Sequence, residues 1–210
     1  MKALLALLIL TVLTLGGLPG QGQAADGPGE QRSMQLTENG QVMSNGRMTP
    51  YLIRHLPVSS FPEMPGSIAD FLSRRGCLIP QTYEAHHPEN VVHASLAHAG
   101  SSDWAVLCSV EGKVSLLVFL GGMAKEQGQP MVVALAQEKD HLQAHDATGV
   151  LGFNWGVDRA TPGQVRQAQA GMEKRPAEID HDALADSVVE HRTIYHFYAK
   201  GGWTLLEMPE

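Results

Sequence analysis

The stretch DWAVLCSVEGKVSLLVFL, residues 103–120, decides the fold of this chain. Two mostly apolar runs, 104–110 and 114–120, flank the triplet Glu111-Gly112-Lys113, a pattern typical of two strands joined by a tight connection. The second run is apolar at nearly every position, which is typical of a strand that is covered on both faces. We therefore expect two consecutive strands here, the second of them central in a sheet.

Further elements are predicted on both sides of this stretch. Strands are expected at 91–98 and 131–136, helices at 65–75, from Thr161 onward and at 182–188, and a closing hairpin at 193–198 and 203–206. This order lacks the strict strand–helix alternation of a parallel α/β protein. It predicts an α+β fold: a mostly antiparallel sheet of about five to six strands with a few helices, in a single globular domain over residues 51–210.

The N-terminal residues have the layout of a secretory signal peptide. Lys2 precedes an almost unbroken apolar run, residues 3–15, and small residues up to Ala24 offer a cleavage point. The run is shorter than the roughly 20 apolar residues of a membrane span, although an uncleaved anchor is the alternative. We expect residues 1–24 to be a signal peptide and residues 25–50 to be a flexible leader. The mature protein would then be periplasmic or extracellular, without stable membrane insertion.

The composition excludes two classes of protein. The formal charge is −7, from 15 Lys and Arg against 22 Asp and Glu. Because the basic residues form no cluster, the chain lacks the charge pattern of a nucleic-acid-binding protein. A hydrophobic fraction of 43% is too high for a chain that is disordered throughout. The composition therefore indicates a folded protein that does not bind nucleic acid.

The chain has two cysteines, Cys77 and Cys108. In an exported protein two cysteines most simply form one disulfide. A redox-active thiol is the alternative, but there is no Cys-x-x-Cys motif, and the apolar strand around Cys108 disfavours a thiolate. Trp104 shares a strand face with Val106 and Cys108 by parity, so we expect its ring in the core beside the disulfide.

The ten histidines raise the hypothesis of a metal site. His141 and His145 have the i, i+4 spacing that places two imidazoles on one helical face, and Glu138 lies three residues before them. Imidazole and carboxylate groups are ligands for Zn²⁺ or Cu²⁺, which need three or four such donors. The alternative, which we favour, is a solvated polar turn, so we expect the protein to have no cofactor.

The densest group of acids around an imidazole is Asp180-His181-Asp182. A histidine oriented by aspartate can act as a general base, so these three residues are the candidate catalytic site. In the structural alternative, Asp180 caps a short helix over residues 182–188 and His181 is buried and hydrogen-bonded. No motif elsewhere in the sequence supplies a nucleophile, which favours the structural alternative.

Several strings in the chain occur together in one known group of proteins. They are Cys77-Leu78-Ile79-Pro80-Gln81, Asp103-Trp104-Ala105-Val106-Leu107-Cys108-Ser109 and Ile179-Asp180-His181-Asp182. In this order and spacing they resemble an uncharacterised family of exported bacterial proteins, over residues 61–206. The resemblance implies export and carries no activity with it.

Three hypotheses about function follow from these observations. The first is a binding or interaction module for a protein or a small molecule, since no complete catalytic set is present and aromatic residues (Tyr195, Tyr198, Trp203) gather near the C-terminal hairpin. The second is a hydrolase that uses the acid and imidazole cluster. The third is a metal-binding protein that uses histidines. The absence of a full catalytic set favours the first.

Overall fold

A computed structural model describes residues 36–121, 130–170 and 179–207. These residues form thirteen strands: β1 (Leu36–Ser44), β2 (Arg47–Pro57), β3 (Leu78–Gln81), β4 (Val91–Ala94), β5 (Asp103–Val110), β6 (Lys113–Phe119), β7 (Met131–Gln137), β8 (Leu142–Ala144), β9 (Leu151–Phe153), β10 (Trp155–Ala160), β11 (Ala183–Val188), β12 (Arg192–Ala199) and β13 (Gly202–Glu207). Two α-helices, α1 (Gly66–Arg74) and α2 (Pro162–Gln169), and two short 3-10 helices, Val58–Ser60 and Glu138–His141, complete the described elements.

The strands form two sheets. The larger has the order β7-β6-β5-β3-β2-β9-β8, with β1 also paired to β2 and β4 to β5, and it is mixed because β2 and β9 run parallel. The smaller is antiparallel, in the order β10-β11-β12-β13. The predicted α+β fold with five to six strands is therefore wrong: the described chain is mostly β, with nine strands in one sheet and four in the other.

Part of the error lies in the predicted leader. Residues 36–50 are β1 and the first part of β2, which form an antiparallel hairpin. Its turn, Asn45-Gly46, has φ of 49° and 74°, the positive values of a type I′ turn that suits the twist of two paired strands. The predicted signal peptide, residues 1–24, and the rest of the leader lie outside the described residues.

The second error lies in the helix predicted at 182–188. Those residues are β11, which pairs with β10 on one side and β12 on the other. Leu184 is buried in the core between the sheets, while its neighbour Ala183 is buried under α2. Hydrogen bonds from two neighbouring strands, with the burial of Ala183 and Leu184 on opposite faces, outweigh the weak helix propensity of this segment.

The central stretch behaves as the sequence predicts. β5 and β6 pair from Trp104↔Phe119 to Val110↔Lys113. Leu116 faces the core that the two sheets share, whereas Leu117 belongs to the core on the other face, under α1. The strand is thus covered on both faces, which explains its nearly unbroken apolar sequence.

The predicted disulfide is present. Cys77 and Cys108 are bridged, with their Cα atoms 5.4 Å apart. The bridge ties the residue beyond α1 to β5, inside the core that α1 covers. Trp104 lies in the same core and is buried, as parity predicts. The Thr161 capping box also forms, with Gln164 donating its backbone N–H to the threonine hydroxyl at the start of α2.

Within the described ranges no helix has the length and apolar character needed to cross a membrane.

Candidate functional site

The candidate catalytic residues do not converge. His181 is nearly buried, and its ring nitrogens lie 3.1 Å from the Asp180 carboxylate and 2.8 Å from the Tyr198 carbonyl. Asp180 is exposed, and its hydrogen bond with His181 lowers the pKa of its carboxyl group. Asp182 accepts a hydrogen bond from the Ser95 backbone and pairs with Arg159, 3.0 Å away. The helix that Asp180 was expected to cap is absent, since β11 begins at Ala183.

The three candidate metal ligands also separate. Glu138 is buried against His55, with a ring nitrogen 2.5 Å from its carboxylate. His141 stacks on Trp155 and His145 stacks on Tyr83, each with ring centroids 4.5 Å apart. The segment is a 3-10 helix followed by β8, so the i, i+4 spacing does not place the two imidazoles on one helical face. Among the described residues, no three His, Cys, Asp or Glu side chains are grouped to hold a metal ion.

One polar cluster that the sequence did not suggest lies between the sheets. Asp186 accepts a hydrogen bond from the Trp155 indole at 2.6 Å and contacts a ring nitrogen of His196 at 2.8 Å. His141 stacks on the same tryptophan, and burial lowers its pKa against the opposing effect of nearby carboxylates. The cluster depends on the register between β11 and β12, which no local pattern encodes. The Nδ1 atom of His196 is buried without a hydrogen-bond partner, and the cluster lines none of the described pockets.

An open site is found on the opposite face of the large sheet. Along β2, Tyr51 and Ile53 are buried between the sheets, so Leu52 and Arg54 point to the other face. Leu56, two residues further on, is buried in the core under α1. Leu52, by contrast, is 43% exposed. The helix therefore leaves uncovered the part of this face that carries Leu52 and Arg54.

Two pockets meet at Arg54. One of about 190 Å³ lies toward the loop after β3 and is lined by Arg54, Leu56, Gln81, Ala85, His86, His87 and Pro88. The other, of about 230 Å³, lies toward the loop before β9 and is lined by Leu52, Arg54, Gln81, Tyr83, His145, Asp146, Val150, Gly152 and Phe153. Arg54 and Gln81 line both pockets, so the guanidinium group lies where the two spaces adjoin.

The loop after β3 holds Arg54 in place. Its Nη2 donates to the backbone carbonyls of Thr82, at 2.7 Å, and Ala85, at 2.9 Å. The Gln81 side chain braces the same loop, because its amide donates to the Glu89 carbonyl and accepts from the Glu89 backbone N–H. The Glu89 carboxylate in turn accepts from the Thr82 backbone N–H at 2.6 Å. Within the described residues Arg54 has no carboxylate partner and donates no other hydrogen bond. Carbonyl oxygens orient the guanidinium but do not pair its positive charge with a carboxylate.

The wall of the larger pocket is an aromatic stack above a glycine. The rings of Tyr83 and His145 lie nearly parallel, 11° apart, over Gly152 of β9. Burial and the carboxylate of Glu190 raise the pKa of Tyr83, so its phenol stays neutral near pH 7. A Cβ atom at Gly152 would lie 2.5 Å from the Tyr83 Cβ and 2.9 Å from the His145 ring. The stack therefore requires glycine at this position.

Replacing Gly152 by Ala tests that requirement. The added methyl group meets Tyr83 close to its backbone, where the side chain has no freedom to turn away. We expect a loss of about 1–3 kcal/mol in the free energy of unfolding, measured by chemical denaturation. The same change at Gly66, where an added Cβ would meet nothing within 4 Å, is the control and should change stability little. Equal effects at both positions would contradict the close packing.

One acid stands at the rim of this pocket. Asp146 accepts hydrogen bonds from the backbone and hydroxyl of Thr148, which lower the pKa of its carboxyl group. It also lies 3.7 Å from His145. Its negative charge is thus engaged by neighbours on its own loop, and it makes no ion pair with Arg54.

Sequence reasoning missed Arg54, Tyr83 and Gly152. The only local signal is that Arg54 is a single cation at an alternating position of a strand with buried neighbours. Tyr83 and Gly152 are far apart in sequence, and their contact depends on the pairing of β2 with β9. Comparisons with protein-family models, curated proteins and solved structures found no match for this chain.

Proposed function

We propose that this protein is an exported binding module and that its site is the pair of pockets at Arg54, which takes a ligand with a carboxylate group. The observation that carries the proposal is the guanidinium itself. It is fixed by two carbonyls, faces two open spaces and has no acid partner among the described residues. A carboxylate matches the planar, forked geometry of a guanidinium group and can accept two hydrogen bonds from it.

The surroundings of Arg54 suit a ligand with an apolar part next to its carboxylate. Leu52 and Val150 contribute apolar surface to the larger pocket, beside the stacked rings of Tyr83 and His145. Pockets of this kind bind by apolar contact, with a few polar groups that set orientation. His181 contacts Asp180 and the Tyr198 carbonyl, while Asp182 is held by Ser95 and Arg159. Because the three side chains do not form one catalytic set, we favour binding over hydrolysis.

Export is part of the proposal and rests on separate observations. The N-terminal layout predicts a signal peptide, and a buried disulfide fits an oxidising compartment. The resemblance to exported bacterial proteins points the same way. A module outside the cytoplasm would meet its ligand in the periplasm or the medium.

Benzoate and its neutral counterpart benzamide test the pocket. In titrations followed by backbone amide chemical shifts, benzoate should bind and shift the signals of residues around Gly152. Benzamide should bind at least about 10-fold more weakly, because it lacks a charge-assisted hydrogen bond of roughly 1.5–3 kcal/mol. Arg54→Gln should lower benzoate affinity by a similar factor. Arg54→Lys keeps the positive charge but loses the forked pair of N–H donors, so its affinity for benzoate should lie between those of the wild type and Arg54→Gln. Arg166→Gln, at an exposed position of α2, is the matched control.

Two further outcomes bear on the same proposal. Asp146→Asn should tighten benzoate binding several-fold, because it removes a negative charge from the rim. Thermal melts of each variant separate a binding defect from unfolding, since Arg54 also anchors the loop after β3. The proposal would be overturned if folded Arg54→Gln and Arg54→Lys variants bound benzoate as tightly as the wild type does. It would also be overturned if none of the three proteins bound benzoate.

A further inference from the structure

An exposed apolar strip runs along β2 into the Arg54 pocket. The alternation that places Leu52 and Arg54 on the outer face also places Met48 and Pro50 there, and Met43 of β1 lies opposite Met48 in the hairpin register. Met43, Met48 and Leu52 are 64%, 57% and 43% exposed. We call Met43, Met48, Pro50 and Leu52 the outer strip. It is continuous with the larger pocket, because Leu52 lines both.

The strip ends at Arg54. The next residue on this face, Leu56, is buried in the core with Ile68 and Leu72 of α1. A chain that lay along the strip from Met48 would therefore meet the guanidinium group and then the helix. From Met48 to Arg54 is six residues, or about 20 Å at the rise of a strand, which is the length of roughly six extended residues.

We infer that the ligand is the C-terminal end of an extended, apolar polypeptide, with its terminal carboxylate at Arg54 and its preceding side chains on the outer strip. This inference rests on the proposed function and names the ligand class of the same pocket. Three observations favour a chain end: a cation without an ion-pair partner among the described residues, the apolar surface that approaches it from one side, and the core under α1 on the other side. A terminal carboxylate supplies the anion, and exposed apolar area of this kind typically marks an interaction site.

The probe is a six-residue peptide of alternating Ala and Leu that ends in Phe, labelled at its N-terminus and titrated by fluorescence anisotropy. The free-acid peptide should bind at least about 10-fold more tightly than the same peptide with a C-terminal amide. It should also bind at least about 10-fold more tightly than benzoate, because it covers the strip as well as the pocket. An amidated peptide with one internal Asp should bind no better than the plain amide.

Variants of the strip separate this inference from the proposed function. Met48→Lys and Leu52→Lys should each lower the affinity for the free-acid peptide at least about 5-fold. Met48→Lys should leave the affinity for benzoate unchanged, because Met48 lies outside the pocket. Leu135→Lys is the matched control, since Leu135 is equally apolar and 65% exposed but lies on β7, at the other end of the sheet order. It should leave peptide binding unchanged.

The contrary results differ in what they overturn. If benzoate binds through Arg54 and the peptide binds no more tightly, the strip has no role and the pocket stands. If Leu135→Lys weakens the peptide as much as Met48→Lys does, the contact is non-specific and the inference fails. If the peptide with an internal Asp matches the free acid, the assignment to a chain end fails. If neither probe binds, both proposals fail together.

Discussion

Replacing Asp103 by Asn is expected to lower the free energy of unfolding by about 3–5 kcal/mol. Asp103 is the first residue of β5 and is fully buried. One carboxylate oxygen accepts hydrogen bonds from the backbone of Leu96 and Ala97, each at 2.8 Å, and from the Ser101 hydroxyl. The other accepts from the Gly121 backbone at 2.6 Å. An Asn amide would turn one of these acceptors into a donor that faces other donors, and would leave buried N–H groups unpaired.

The loss should depend on pH in a way that identifies the carboxylate. Burial raises the pKa of Asp103, but the hydrogen bonds from Ser101, Gly121, Ala97 and Leu96 outweigh it and lower the pKa below its ordinary value. A group with a lowered folded pKa stabilises the protein above its unfolded pKa of about 3.9, and this stabilisation is lost as the pH falls through the folded pKa. The difference in the free energy of unfolding between wild type and Asp103→Asn should therefore be largest near pH 7 and become smaller below about pH 4.

Urea denaturation at several pH values measures both effects. Asp70→Asn, at an exposed position of α1, is the control and should change stability little at any pH. A difference between wild type and Asp103→Asn that stays constant from pH 7 to pH 3 would contradict the role given to the charge. A difference below about 1 kcal/mol at pH 7 would contradict the whole network.

Elements whose sequence signal is local were predicted correctly. The strands at 104–110 and 114–120, the first helix, the capping box at Thr161 and the closing hairpin all appear within a few residues of their expected positions. Each depends on apolar periodicity, a capping side chain or a turn glycine that lies within the element itself. The disulfide was predictable for a related reason, because two cysteines allow one pairing.

The errors concern segments whose structure depends on distant partners. The Ala and Asp residues of β11 led to the prediction of a helix. The segment is a strand instead, because it pairs with β10 on one side and β12 on the other. The leader was expected from its Gly, Gln and Asn content, although Asn45-Gly46 is a strong local signal for a hairpin turn. The mixed topology follows from one short parallel pairing, Tyr51↔Leu151 and Leu52↔Gly152, between residues 100 positions apart.

The candidate site shows the same limit. The sequence drew attention to residues that are close together in the chain, namely Asp180, His181 and Asp182, and Glu138, His141 and His145. In the structure Asp180 and His181 contact each other, but Asp182, Glu138, His141 and His145 each lie against a different partner. The pocket at Arg54 is instead built from β2, the loop after β3 and the loop before β9. Only the pairing of the strands brings those segments together.

Replacing Trp104 by Ala is the second large effect that we expect, about 3–5 kcal/mol of the free energy of unfolding. The ring is 3% exposed and lies in the core that contains the disulfide, Leu117 and Phe119. Its outer face stacks on His93, with centroids 4.5 Å apart and planes 9° apart. Removing the ring leaves a large cavity in a core that is cross-linked by the disulfide, so we expect the core to collapse only partly.

Two companion variants apportion this loss. His93→Ala removes the stacking partner and should cost about 0.5–1.5 kcal/mol, the range for an aromatic pair, because His93 itself is exposed. Trp104→Phe keeps most of the apolar contact, so its loss of stability should lie between those of His93→Ala and Trp104→Ala. A free-thiol assay on each denatured, unreduced variant should find none, which shows that the disulfide has formed and that the missing ring causes the loss. An unchanged urea midpoint for Trp104→Ala would show that the ring contributes nothing to this core, and would remove the basis for placing it there.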